Sequence, residues 1–221
     1  MCQTTAVSKE GIRLNLQDIT KRYPGVLALD RVSFALEMGR VHALVGENGA
    51  GKSTLIKILA GVLHPDEGRI VHQEADISIS SPQRARQIGI SVVHQHSHLI
   101  PNLSIAENYA LRVAYPRTSL GTISWGTVSH QAAVATQILI PSLDVQRLAR
   151  SLSGGERQLV ELSFAFASSP DVMILDEPTA VLPERETGLL FQRIKEFAHA
   201  GGTVLFVSHR LEENANSSLF R

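Results

Sequence analysis

Apolar and polar positions alternate along residues 13–19, where Leu14, Leu16 and Ile19 are the apolar members, and this pattern predicts a strand. Beyond a turn at Tyr23-Pro24-Gly25, a second alternation of Val32, Phe34 and Leu36 predicts another strand, closed by Met38-Gly39. Val41-His42-Ala43-Leu44-Val45 is a short apolar run of buried-strand type. The period then lengthens: Leu55, Ile56, Leu59, Val62 and Leu63 share one helical face. His64-Pro65-Asp66-Glu67-Gly68 reads as a turn and Ile70-Val71 as the start of a strand. Ser81-Pro82 opens a short helix, with serine as cap and proline at the first position. Ile90-Ser91-Val92-Val93 reads as a strand ending at His94-Gln95.

From about residue 97 to 165 the pattern is mostly helical, which predicts a helical subdomain inserted into an α/β protein. Ser104-Ile105-Ala106-Glu107 is a capping box, so a helix follows to about Val113. Residues 115–128, rich in Gly, Thr and Ser, read as a loop. A helix over about 129–140 stops before Pro141, and another runs from Arg157 to Ala167. Val172-Met173-Ile174-Leu175 is a fully apolar run. Pro183 then starts a helix with Glu184 and Glu186 in its first turn, favourable for the dipole. Leu190, Ile194, Phe197 and Ala198 form its apolar face and Gly201 stops it. Thr203 to Val207 reads as a strand that ends at Ser208-His209. Residues 1–11 read as a loose leader and 214–221 as an unstructured tail.

The length, 221 residues, suits one large α/β domain over 1–221. Lys plus Arg and Asp plus Glu number 21 each, so the net charge is zero, which argues against nucleic acid as a partner. Cys2 is the only cysteine, so no intramolecular disulfide forms, as suits a reducing cytosol. No run of 18 apolar residues exists, so a link to a membrane is expected to pass through a partner.

The chemistry begins at Gly46-Glu47-Asn48-Gly49-Ala50-Gly51-Lys52-Ser53-Thr54, which has the form G-x-x-x-x-G-K-[ST] of a phosphate-binding loop. Glycines let the backbone curl so that successive N–H groups point at phosphate oxygens. Lys52 brings a compact positive charge to the β- and γ-phosphates, and the Ser53 hydroxyl is a ligand for Mg²⁺. The motif needs a strand before it and a helix after it, and the apolar pattern supplies both.

Four polar groups each follow an apolar strand: the phosphate loop, Gln95, Asp176-Glu177 and His209. In open α/β sheets, ligands bind at the carboxyl ends of the strands, so these segments are expected to converge on one phosphate. Asp176 then holds Mg²⁺, directly or through water, opposite Ser53. Glu177, one residue on, faces the γ-phosphate and takes a proton from the attacking water. Gln95, with both donor and acceptor, suits orienting that water or touching Mg²⁺. His209 is placed to donate to the γ-phosphate and steady the base.

The segments GENGAGKST, VVHQ, LSGGERQ, VMILDEPT and VSHR together resemble the nucleotide-binding domain of ABC transporters. The resemblance runs from about Leu14 to Glu213. It implies a P-loop NTPase with a mixed, mostly parallel sheet flanked by helices, an N-terminal antiparallel β part and the helical insertion. It also implies ATP and Mg²⁺ as ligands, ATP hydrolysis as activity, and head-to-tail pairing with a second such domain. In that pairing LSGGE, here Ser153, Gly154 and Gly155, offers a helix N-terminus to the γ-phosphate held by the opposite phosphate loop. Tyr23 matches the aromatic residue that stacks on adenine.

KRYPGVLALD, VVHQHSHLIPNLSIAEN, DEPTAVL and VSHRLEE resemble, more narrowly, the sugar-importing branch that serves ribose, galactose and related sugars. That branch carries two such domains per chain. The resemblance implies a membrane permease and, through it, a sugar-binding protein as partners, with the ATPase peripheral on the cytoplasmic face of the plasma membrane. The helical subdomain is expected to dock on the permease, and His98, Leu99, Ile100 and Leu103, which follow no core period, are expected either to touch that partner or, equally, to pack inside the subdomain. Two departures stand out. Pro183 follows Ala180-Val181-Leu182 where the family often has an aspartate, and the chain stops soon after Glu213, as a truncated first half would. The rival readings are an ABC-type ATPase of translation or DNA repair, and an inactive remnant. A P-loop kinase or GTPase leaves LSGGE unexplained.

Overall fold

The structure is a computed structural model of the chain. It describes residues 11–208 except positions 48, 96, 114, 118 and 120. In chain order the elements are β1 (Ile12–Tyr23), β2 (Val26–Glu37), β3 (Val41–Val45), α1 (Lys52–Leu59), β4 (Glu67–His72), β5 (Ala75–Ile77), α2 (Pro82–Gln87) and β6 (Ile90–Val93). They continue with α3 (Ile105–Ala110), α4 (Trp125–Thr136), a 3₁₀ turn (Ala149–Ser151), α5 (Gly154–Ala167), β7 (Val172–Asp176), α6 (Glu184–His199) and β8 (Thr203–Ser208). Two compact units emerge. The first draws on Met1–Ser91, Asp171–Ile174 and Lys195–Arg221, the second on Val92–Pro170 and Leu175–Ile194.

One sheet of the first unit has the order β2-β1-β4-β5, and its three pairings are antiparallel. Leu14, Leu16 and Ile19 are fully buried on β1. Strict alternation from Leu14 and Leu16 would turn Asp18 inward. A bulge prevents this: the register shifts between Leu16 and Ile19, and Asp18 takes φ 54°. Facing it, Gly68 sits at φ +93°, where a Cβ would come within 2.5 Å of the Gln17 and Asp18 carbonyl oxygens. Only glycine fits there.

The other sheet has the order β3-β8-β7-β6. β3 and β8 run parallel in register, from Val41 opposite Val204 to Val45 opposite Ser208. Their carboxyl ends therefore stand side by side. β8 is buried throughout and Val172 to Leu175 of β7 are fully buried. β3 departs from expectation. Its composition predicted a buried strand, but it lies at the edge of the described sheet, and Ala43 and Val45 are exposed. α1 is also shorter than its apolar spacing suggested. Gly61, at φ +71° and tight against the Ser81 carbonyl, ends that turn, and Val62 is exposed rather than on the buried face.

In the second unit, α3, α4 and α5 enclose a core that includes Leu99, Ile105, Val128, Val160 and Phe164, with alanines at 106, 110, 132 and 135 allowing close approach. The capping box at Ser104 and Glu107 forms as expected, but α3 ends at Ala110 rather than near Val113. α4 begins at Trp125, four residues before the expected start. Val128, Ala132 and Ala135 make a buried i, i+4, i+7 face, and that packing outweighs the poor helix propensity of Gly126 and Thr127. Leu99 is 7% exposed and belongs to this core, so of its two expected roles it takes packing inside the subdomain and not a surface for a partner, whereas Ile100 is 44% exposed.

Candidate functional site

The phosphate loop belongs to the first unit and joins β3 to α1. Gly49 and Gly51 both take φ +87°. A Cβ on Gly51 would lie 2.4 Å from the Ala28 carbonyl oxygen and 2.8 Å from Leu29 Cδ2, so β2 packs against this position and only glycine is tolerated. Gly51 is also the N-cap of α1 and provides no side-chain cap, and no acidic residue sits in the first turn. The helix thus presents bare N–H groups and the positive end of its dipole, which favours an anion. Lys52 Nζ donates to the carbonyl oxygens of Gly46 and Glu47, which draws the ammonium over the loop. Ser53 is exposed on the same turn, followed by Thr54. Ala50 N–H donates to Glu47 O at 3.2 Å. Tyr23, at the end of β1 opposite Val26, is partly exposed. Asn48 and His209 lie outside the described residues.

The second unit holds the acidic pair and Gln95. Asp176 is the last residue of β7, and Glu177 follows at φ 48°, a left-handed conformation uncommon outside glycine. Gln95, two residues beyond β6, donates from Nε2 to Glu177 Oε2 at 2.9 Å. Segments 82 residues apart therefore meet. Ser153 is the N-cap of α5. Its hydroxyl accepts from Glu156 N–H, and Glu156 Oε2 accepts from Ser153 N–H at 2.7 Å. That backbone N–H holds the Glu156 carboxyl below its ordinary value. A Cβ on Gly154 would meet nothing within 4 Å, while one on Gly155 would stand 3.3 Å from Val181 O.

Ser53 in the first unit and Asp176 in the second each carry an oxygen of the hard kind that Mg²⁺ prefers, an ion that takes one or two protein oxygens and completes its shell with waters and substrate phosphates. Among the described residues no group of three His, Cys, Asp or Glu forms a dedicated metal cage.

Two residues escaped the sequence reading. Gln158 and Glu161 of α5 are both 1% exposed and hold the chain on either side of Gln95. The available signal was two long polar side chains at i, i+3 in a helix whose neighbours are apolar, Leu159, Val160 and Leu162.

A sequence profile of the ABC transporter family matches residues 29–180. The chain is 40% identical over 208 residues to the putative ribose/galactose/methyl galactoside import ATP-binding protein 2 of Rhizobium meliloti, covering 94% of this chain and 40% of that protein. It is 45% identical over 201 residues to the ribose import ATP-binding protein RbsA 1 of Streptomyces coelicolor, covering 90% and 39%. The chain thus spans about two fifths of the length of the curated relatives it matches. The crystal structure of a nucleotide-free ATP-binding cassette from an ABC transporter superposes with a TM-score of 0.78 at 30% identity, covering 91% of this chain and 83% of that one. The ADP conformation of another such cassette gives 0.75 at 28%, covering 90% and 82%.

Proposed function

The chain belongs to the ABC transporter family and has the fold of its ATP-binding cassettes, and on that premise we propose that it binds Mg-ATP and hydrolyses it to power import of a monosaccharide through a separate membrane permease. The observation that carries this reading is the Gln95–Glu177 hydrogen bond at 2.9 Å, in a chain whose sequence also carries the whole phosphate-loop motif. The sugar follows from the relatives, which are ribose and galactose import proteins.

In this reading the backbone of Gly46 to Thr54, with Asn48 and Ala50 between the glycines, cradles the phosphates. Lys52 exchanges its loop carbonyls for β- and γ-phosphate oxygens, and Tyr23 stacks on adenine. Ser53 and Asp176 would hold Mg²⁺, with Gln95 as a further oxygen donor or to orient the water, and the ion would supply neutralisation of phosphate charge. Glu177 takes one proton from the attacking water as that oxygen bonds to the γ-phosphorus and the bridging oxygen departs with ADP. Gln95 fixes the Glu177 carboxylate and the water, and His209 donates to the γ-phosphate. Ser153, Gly154 and Gly155 serve the nucleotide of a second ABC domain, either another copy of this chain or a second domain of the kind its longer relatives have room for.

The helical stretch 97–165 acts as a subdomain that docks on the permease, and a sugar-binding protein delivers cargo on the far side. No described helix is long and apolar enough to cross a membrane. In this reading the permease holds the chain as a peripheral subunit on the cytoplasmic face of the membrane. The balanced charge speaks against nucleic acid as partner. The test is a thermal melt with and without Mg-ATP, paired with phosphate release by the chain bound to its permease. A rise in melting temperature and permease-dependent hydrolysis are expected. Absence of both rejects the reading.

A further inference from the structure

We infer that Glu161 is a positioning residue that fixes Gln95, and through it Glu177, to the helix that begins with Ser153-Gly154-Gly155. The inference rests on the proposed function for its catalytic consequence, and on geometry alone for the anchoring.

Glu161 is a carboxylate with 1% exposure on α5. A charge so far from water needs compensation. Its Oε1 accepts from the backbone N–H of His98 and, at 3.2 Å, from the Ser97 hydroxyl, and the Arg112 guanidinium stands 3.5 Å away. Arg112 is itself seated over the Phe164 ring, 5.6 Å from its centroid. The Ser97 oxygen in turn accepts from Leu99 N–H at 3.3 Å, and Leu99 is core. One turn earlier on the same face, Gln158 Nε2 donates to His94 O at 3.4 Å.

Gln95 is therefore bracketed. The carbonyl before it and the amide three residues after it are both tied to a single helix. None of the donors at 97 and 98 belongs to a regular element, so without Glu161 the Ser97 hydroxyl and His98 N–H lose their shared acceptor. Helix and loop then move as one body. Displacement of the α5 N-terminus is transmitted to Gln95, whose amide restrains the Glu177 carboxylate. Other clusters compare poorly. The Arg13–Asp171 pair beside His72 joins elements of the first unit without touching a site residue, and the exposed Leu111, Tyr115 and Trp125 have nothing to show what covers them.

The test compares the intact chain with Glu161→Ala and Glu161→Gln. Glutamine keeps an acceptor oxygen for Ser97 and His98, and alanine does not. Amide hydrogen exchange without nucleotide should accelerate at His98 by about tenfold or more in the alanine variant, the loss expected for a hydrogen bond to a charged group, and stay near wild type in the glutamine variant. Permease-bound hydrolysis should show kcat lowered about tenfold in Glu161→Ala, with KM for Mg-ATP unchanged and kcat recovered in Glu161→Gln. Unchanged His98 exchange in a folded Glu161→Ala chain overturns the anchoring. Accelerated exchange with unchanged kcat overturns the link to Glu177. If the wild-type chain neither binds nor hydrolyses Mg-ATP, the proposed function fails instead, and the exchange still decides the anchoring. Should Glu161→Ala lose its cooperative melt, Ser97→Ala removes one donor from the loop side and must accelerate Leu99 and His98 exchange. If it leaves both unchanged, the inference falls.

Discussion

Gln95 Nε2 lies 2.9 Å from Glu177 Oε2, which ties the residue after the β6 strand to the acidic residue after β7. The donor also travels with the loop that leads, nine residues later, into the capped helix α3. Any motion of Gln95 is thus felt both by Glu177 and by the helical segment.

Lys52 is the one side-chain cation that the phosphate loop offers, and its ammonium is already drawn over the loop by Gly46 O and Glu47 O. Lys52→Ala should abolish the rise in melting temperature caused by Mg-ATP while leaving the melt without nucleotide nearly unchanged. An undiminished rise would remove Lys52 from the site.

Gly49 and Gly51 share φ +87° but not surroundings. Alanine at 49 meets nothing and costs about 1–2 kcal/mol of left-handed strain. Alanine at 51 adds a collision with Ala28 O at 2.4 Å, so the cost should exceed that of Gly49→Ala. For a domain of this size each kcal/mol lowers the melting temperature by roughly 2–4 °C. Differential scanning calorimetry should rank Gly51→Ala well below Gly49→Ala, and the reverse order would refute the packing of β2 against the loop.

Much of the site was legible because it is written locally. The phosphate loop, Asp176-Glu177 after an apolar strand, and the capping box at Ser104 and Glu107 each depend on neighbours a few residues away. The meeting of Gln95 with Glu177 followed from a general rule about strand ends. What escaped was set by long-range packing. The bulge at Asp18 that turns Ile19 inward needs the partner strands, and the edge position of β3 depends on which strands lie beside it. The burial of Leu99 and the early start of α4 come from one shared core, and the grip of Glu161 on Ser97 and His98 spans more than 60 residues.

The contrast between Leu99 and Ile100 separates folding from docking. Leu99→Ser removes a buried core side chain and should destabilise by about 2–4 kcal/mol. Ile100→Ser should leave the melt within about 0.5 kcal/mol, as for an exposed site, yet weaken co-purification with the permease. Normal co-purification of Ile100→Ser would move the docking surface elsewhere.

Two histidines give the stability a pH dependence. Burial pushes both His42 and His72 below the ordinary imidazole value. His42 Nε2 accepts from Glu37 N–H at 2.9 Å, which requires the neutral ring. With folded values below unfolded ones, the unfolded chain binds more protons, so this stability is present above about pH 6.5 and is lost as pH falls through the folded values. Melting temperatures should decline on the acid side of neutrality, and His42→Gln should flatten part of that decline. An identical slope in the variant would exclude His42 as a contributor.

If the Ser153 cap serves a nucleotide on a second domain, a Ser153→Arg chain mixed with a Lys52→Ala chain should recover about one competent site per heterodimer. No recovery at any ratio, with both variants folded, would show that this chain pairs with a different domain.

The central claim is that Glu177 accepts the proton of the attacking water, and Glu177→Gln tests it most directly because size and hydrogen-bonding capacity are nearly kept. Mg-ATP affinity and hydrolysis should be measured together on the permease-bound chain. The account predicts affinity within a few-fold of wild type and a turnover lowered by about 10²–10⁴. Turnover within a few-fold of wild type, with affinity retained, would contradict it.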